Sequence, residues 1–350
     1  MYKILKQRKN IINIIYIEVI CMDFKNSFHK DKSKIRTDLA LEAKEMVDED
    51  KAEKMEEKDV LPNGMSVNTR ETKHIAITEI EIKSEEAERK IGKKCGIYIT
   101  LEMKNPSMDT KEMQSDAARA LAREISKFID SLDVPKPEIL IIGLGNRNIT
   151  ADSLGPKVTD KIVVTRHVKN TNLEIDKRLG SVSAVSPGVM GITGIETSEI
   201  VGSLKDCINP NIIFVIDALA SRSLSRVNAT IQISDTGIVP GSGVGNHRME
   251  LSKEVLGVPV IAIGVPTVVD ANTLIQDILS QGDYKCFKEN DKKNSNEVQA
   301  DEQDFIIENM VVTPKNIDIA VERISDVIAS GLNVATHRGF EIDEINEYLI

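Results

Sequence analysis

Apolar residues fall along this chain in two patterns. Between residues 137 and 280, short continuous apolar runs alternate with segments of helical spacing. The runs are Ile139–Ile142, Ile212–Ile216 and Val258–Val265; Thr230–Ile233 reads as a further strand, and Val182–Val185 leads into a glycine-rich loop. Four to eight apolar residues closed by glycine, proline or a polar residue read as strands buried on both faces. Residues 197–204, 248–256 and 269–279 read as helices, and 156–168 as either a helix or a strand. Strand alternating with helix implies an α/β fold: a mostly parallel central sheet with helices on both faces. The second pattern is strict alternation. His74–Ile82 and Gly96–Met103 alternate apolar and polar residues, as half-buried strands do, and read as a small added β/α region. Residues 110–132 have helical spacing, with Thr110 as cap and Pro135 as stop. A further helix is expected from Thr313 as cap and Pro314 at its first position to about residues 329–331. Residues 39–58 read as an exposed helix, 22–38 as a flexible polar stretch, and 281–304 as an exposed charged insertion.

Composition sharpens this picture. Hydrophobic residues make up 41% of the 350, tryptophan is absent and aromatics are 3%. The core is therefore aliphatic, which favours α/β layers over an aromatic-rich sandwich. A net charge of −10 argues against nucleic acid as a partner. The charge is uneven. Residues 1–38 hold nine Lys/Arg and four Asp/Glu, a net of +5 that leaves −15 for the remainder. Such an arm either docks on the acidic body or is simply solvated. Four scattered cysteines, Cys21, Cys95, Cys207 and Cys286, form no CxxC pair. They suggest no zinc ribbon or disulfide framework, and a reducing cytosol. The apolar run Ile11–Met22 is broken by Asn13 and Glu18 and is too short to span a bilayer. It has the basic front of a signal peptide without the small-residue cleavage site. Met22 is an alternative start, which would make residues 1–21 a mis-called extension.

Two acidic residues stand where open α/β sheets place their sites. Asp152 lies in the loop after the strand 139–142, beyond Gly143-Leu144-Gly145-Asn146. Those glycines are half of a dinucleotide fingerprint, but the third is missing, so no nucleotide cofactor is expected. Asp152 could instead cap the helix after it. Asp217 closes the uninterrupted run Ile212-Ile213-Phe214-Val215-Ile216, where a carboxylate is partly desolvated. Desolvation or a neighbouring carboxylate raises such a pKa. Two coupled carboxylates can share a proton and activate a water. They can equally bind a divalent metal with a third ligand, for which His247 is the candidate and His167 the next. No GxSxG or HExxH is present.

The segments GLGNRNITADSLGP, VTRHV, SVSAVSPGVMGITGIETSEIV, VIDALASR, DTGIVPGSGVGNHR and VTPKNIDIAVERISDVIASGLNVATH resemble the germination protease family of spore-forming bacteria. The likeness runs in order through residues 35–338. It implies an endopeptidase that initiates degradation of small acid-soluble spore proteins, made as a self-processing zymogen and assembled as a homotetramer. It implies a phosphorylase/hydrolase-like α/β fold similar to hydrogenase-maturation proteases, cytoplasmic location in the spore core, no membrane and no direct nucleic acid. The family's two catalytic aspartates fall on Asp152 and Asp217. In the maturation proteases the corresponding acids and a histidine bind metal, which keeps the alternative of Asp152, Asp217 and His247 open. Thr37-Asp38-Leu39-Ala40-Leu41-Glu42 resembles the family's substrate site. Cleavage is expected between Asp38 and Leu39, making 1–38 a propeptide and 39–350 a single protease domain. The reading from a different class is a small-molecule-binding α/β protein.

Overall fold

Aliphatic runs without a polar break can be buried only where both sides are covered, and that is where they lie. The computed structural model describes residues 35–53, 61–104, 110–170, 176–241, 248–280 and 310–347. The strands are β1 (Met65–Glu71), β2 (Ile75–Ile82), β3 (Gly96–Met103), β4 (Glu138–Gly143), β5 (Ser181–Val185), β6 (Ile212–Ser221), β7 (Thr230–Ser234), β8 (Val260–Asp270) and β9 (Val311–Val312). The helices are α1 (Ala40–Glu53), α2 (Glu85–Ile91), α3 (Lys111–Asp130), α4 (Leu154–Thr159), α5 (Met190–Thr193), α6 (Thr197–Ile208), α7 (Lys253–Leu256), α8 (Ala271–Ser280), α9 (Ile317–Thr336) and α10 (Ile342–Asn346).

One sheet runs in the order β1-β2-β3-β7-β8-β6-β4-β5, with β9 beside β8. β8, β6, β4 and β5 are parallel neighbours. β1, β2, β3, β7 and β8 pair antiparallel. The parallel arrangement thus holds for β4, β5, β6 and β8, whereas β7, from the same alternating region, pairs antiparallel with both β8 and β3. The added strands join the same sheet and make it mixed, because short turns rather than crossover helices connect β1 to β2.

β4 shows how both faces are covered. Ile139 and Ile141 pack with residues of α3, α4 and α9, including Leu121, Val158 and Ile328. Leu140 and Ile142 point the other way, to Val201 of α6 and Leu256 of α7. At the antiparallel end α1 and α2 form a smaller core with Met65, Ile80 and Tyr98.

Several boundaries differ from the sequence expectation. α3 has the expected cap: the Thr110 side chain accepts from Met113 N. α9 starts later than Thr313 and Pro314, with Asn316 at its cap position, and continues to Thr336. Residues 156–168 resolve into the end of α4 and a 3-10 turn at Arg166–Asn170. β6 does not end at Asp217 but runs on to Ser221, and β8 runs through Pro266. The proline is accommodated because the β6/β8 register shifts between Leu219 and Ala220. β1 carried no strand signal, since only Met65 and Val67 among its residues are apolar. The insertion 281–304 lies outside the described residues.

The chain divides into two units. The larger spans Thr37–Val269 and Val311–Ile350. The smaller includes, among described residues, 35–36, 270–280 and 310. Within it Asp270 Oδ1 caps α8 by accepting from Thr273 N at 3.0 Å, and Thr273 Oγ1 accepts from Arg36 N at 3.2 Å.

α1 is less exposed than its charge suggests, because its first turn is a buried anchor. Leu39 is wholly buried and Glu42 is 1% exposed. Glu42 accepts from Arg222 N at 2.6 Å, Ser223 N at 3.1 Å and Thr37 Oγ1 at 2.5 Å. Arg226 lies 3.4 Å from Glu42 and pairs with Glu45 and Glu102. A buried carboxylate is tolerated when donors and an opposite charge surround it. Arg226→Met leaves the buried Glu42 without its opposite charge, and is expected to cost about 3 kcal/mol in denaturant unfolding.

Candidate active site

The Asp152 loop is pressed onto the end of β4 by glycines. A Cβ at Gly143 would stand 2.2 Å from the Gly155 carbonyl oxygen, and one at Gly145 would stand 2.0 Å from that of Asp152. Gly145 also has φ +109°, which side chains disfavour. The half-fingerprint is therefore a close backbone approach and not a phosphate cradle. Leu144 N donates to Ile216 O at 2.8 Å, and Thr267 Oγ1 on β8 donates to Ala151 O at 2.7 Å, tying the loop to two strands. The Asp152 carboxylate turns back rather than capping α4: its Oδ2 accepts from Asn146 N at 2.9 Å.

Asp217 is reached differently. β4 pairs with β6 only as far as Gly143 opposite Ile216, so Asp217 is the first β6 residue beyond its β4 neighbour. On the other side it pairs with Gly264. Its backbone stays in the sheet while the residue lines the same cavity as Asp152. Asp217 is 6% exposed, and its Oδ1 accepts from Ala218 N at 2.9 Å.

Asp152 and Asp217 line one cavity of about 320 Å³, with Asp38, Leu144, Arg248 and Thr267 in its wall. Burial pushes the Asp217 carboxyl well above the usual range. The Asp152 charge adds to this, the Ala218 N–H opposes it, Asp38 raises it further and Arg248 opposes it. Asp152 is also raised, first by burial, against the Asn146 N–H and Arg248. Asp217 is thus the member that keeps its proton, and Asp152 the one that ionises first.

The other proposed residues fare differently. Asp38 lines the same cavity. Its N–H donates to Ala220 O at 2.9 Å, and its Oδ2 accepts from Ala220 N at 2.9 Å. This stretch had read as flexible, yet Thr37 and Asp38 are held in place. Leu39 follows directly into the α1 anchor. His247 lies outside the described residues, and His167 sits exposed on the 3-10 turn away from the cavity wall. Among the described residues no three His, Cys, Asp or Glu side chains gather as a metal-binding group. Arg248 and Thr267 escaped sequence reading. Arg248 directly follows His247, so the residue next to the chosen candidate was the one in the cavity wall.

The family model described as germination protease matches residues 40–302. Germination protease of Clostridium acetobutylicum is 43% identical over 330 residues, covering 90% of this chain and 99% of the relative. That of Clostridium tetani is 42% identical, with the same coverage. That of Bacillus cereus is 41% identical over 363 residues, covering 91% and 97%. This chain belongs to the germination protease family. A solved [NiFe] hydrogenase maturation protease from Thermococcus kodakarensis overlaps 59% of this chain and 98% of its own, at 16% identity and TM-score 0.29.

As a member of the germination protease family the protein is a peptidase, a hydrolase of peptide bonds. No helix among the described residues is long and apolar enough to cross a membrane. The raised pKa of Asp217 has a consequence for stability. The folded state holds this proton more tightly than the unfolded chain, whose aspartates titrate near 4. Stability therefore falls as pH rises above about 4, until the folded pKa is passed. Asp217→Asn removes this cost. Its thermal midpoint is expected to exceed that of the unsubstituted protein at pH 7.5, with the gap closing toward pH 4, as a scanning fluorimetry series will show.

Proposed function

We propose that the protein is the endopeptidase that initiates degradation of small acid-soluble spore proteins during germination, with Asp152 and Asp217 activating water. The observation that carries this is the facing of two acids of unequal burial in one cavity, one on a loop and one in the sheet. The ionised Asp152 takes a proton from water as its oxygen attacks the peptide carbonyl carbon. Asp217, still protonated, gives its proton to the leaving amine as the C–N bond breaks. Transfer of the proton from Asp152 to Asp217 resets the pair.

The same reading makes the chain a self-processing zymogen cut between Asp38 and Leu39. Its support is that Asp38 lies in the wall of the cavity that holds the two aspartates. Residues 1–38 are then the propeptide and 39–350 the protease. Acidification acting on carboxylate protonation is the proposed trigger. A homotetramer in the spore core is the assembly and location that go with this role.

Incubation with a small acid-soluble spore protein, followed by mass mapping of fragments, tests the reading. Asp152→Asn and Asp217→Asn are each expected to fold and to lose about 10²–10⁴-fold in cleavage rate. Wild-type rate in either removes that residue from the mechanism. Activity is expected to decline on the alkaline side as Asp217 loses its proton. Edman sequencing of processed enzyme is expected to begin at Leu39.

A further inference from the structure

Two side chains outside the aspartate pair grip the Asp38–Leu39 peptide unit. Lys93 lies in the turn between α2 and β3, and Gln232 in the middle of β7. The carbonyl oxygen of Asp38 accepts from Lys93 Nζ at 3.0 Å and from Gln232 Nε2 at 3.1 Å. Lys93 Nζ also donates to Thr37 O at 3.1 Å, one residue upstream. Gln232 Oε1 accepts from Ala40 N at 2.7 Å, one residue downstream of Leu39. The clamp therefore straddles the bond from both sides.

A glutamine is not what packing would select at position 232. Gln232 is 7% exposed between Ile231 and Ile233, where an amide is costly unless both of its ends are bonded. Both ends are bonded, and both to this one segment. Lys93 is half-buried. Burial pulls its pKa down, while the Asp38 and Glu42 carboxylates push it back up. A cation and a neutral donor on one carbonyl oxygen are the elements of an oxyanion-binding site.

We propose that Lys93 and Gln232 are catalytic residues of self-cleavage, holding the Asp38 carbonyl and stabilising the oxyanion that develops on it. This rests on the reading that the chain is processed at Asp38–Leu39. The water oxygen bonds to the Asp38 carbonyl carbon, and the water proton goes to Asp152. The carbonyl π pair moves onto the oxygen held by Lys93 Nζ and Gln232 Nε2. Collapse breaks the C–N bond, its electron pair stays on Leu39 N, and Asp217 supplies the proton that makes the amine. Leu39 N–H now donates to Thr37 Oγ1 at 3.0 Å, a bond that separates with the products.

The test uses the full-length chain. Conversion is followed by intact mass and N-terminal sequencing, and thermal midpoint is measured in parallel. Lys93→Met and Gln232→Leu are each expected to slow conversion by about 10²–10³-fold while the product still starts at Leu39. Lys93→Arg keeps the cation and is expected to convert faster than Lys93→Met. A purely anchoring role would lower the thermal midpoint and leave the rate unchanged. Wild-type rates in both Lys93→Met and Gln232→Leu overturn the clamp and leave the two-aspartate reading intact. Equal rates for Lys93→Arg and Lys93→Met overturn the part given to the cation. Should Gln232→Leu fail to fold, Lys93→Met decides, since that residue sits in a half-exposed turn. If the unsubstituted chain does not convert at Asp38–Leu39 while still cleaving a spore protein, the processing reading falls and the clamp falls with it.

Discussion

A carboxyl group embedded in an aliphatic strand is the constraint on which the rest of this structure turns. Asp217 stands in a sheet position whose neighbours in sequence are Ile, Phe, Val and Ala. Each unit by which its pKa is raised represents about 1.4 kcal/mol by which folding disfavours the ionised form. One backbone N–H and the field of Arg248 offset part of this, and Asp152 and Asp38 add to it. The fold carries the cost because the two-sided core around β4, β6 and β8 is large. The result is an acid that holds its proton beside one that gives its proton up sooner.

That inequality depends on how the Asp152 loop is held. A loop free to move would solvate its carboxylate and uncouple it from Asp217. Here Gly143, Gly145 and Gly155 allow backbone to touch backbone, and Thr267 and Ile216 hold the loop from two strands. Gly143 and Gly155 serve the acid without contacting it, and Gly145 lies directly against it. The same residues look like a fragment of a nucleotide-binding motif, since both structures require backbone to come close to something after a strand. What the backbone approaches differs: in this chain it is the loop's own return.

Much of the site was legible because buried parallel strands leave a strong trace. An unbroken aliphatic run followed by an acid marks Asp217, and strand–helix alternation places it at the sheet edge where Asp152 arrives. The continuation of β6 to Ser221 was not legible, because Ala218, Ala220 and Ser221 are small and carry no strand pattern. β1 was hidden for a related reason: an edge strand paired on one side needs few apolar residues. Lys93 and Gln232 left no usable trace. Lys93 is one lysine in a charged turn, and the polar position within Thr230-Ile231-Gln232-Ile233 reads as an outward face. Their roles come from contacts with Thr37–Ala40 across 55 or more residues of sequence, which local patterns do not encode.

The segment Thr37–Glu42 is where position and chemistry meet. Glu42 is fixed by two backbone donors on the β6 exit, which places Asp38 against Ala220 and its side chain in the cavity wall. On the proposed processing, the chain is cut between an anchor that stays and a carboxylate that leaves. Removal of Asp38 takes away one of the charges that raise the Asp217 pKa, while Arg248, which lowers it, remains. On that processing the Asp217 carboxyl is held less far above the usual range than in the intact chain. The proposed cut would thus retune Asp217 through the loss of a neighbouring charge, without movement of the sheet.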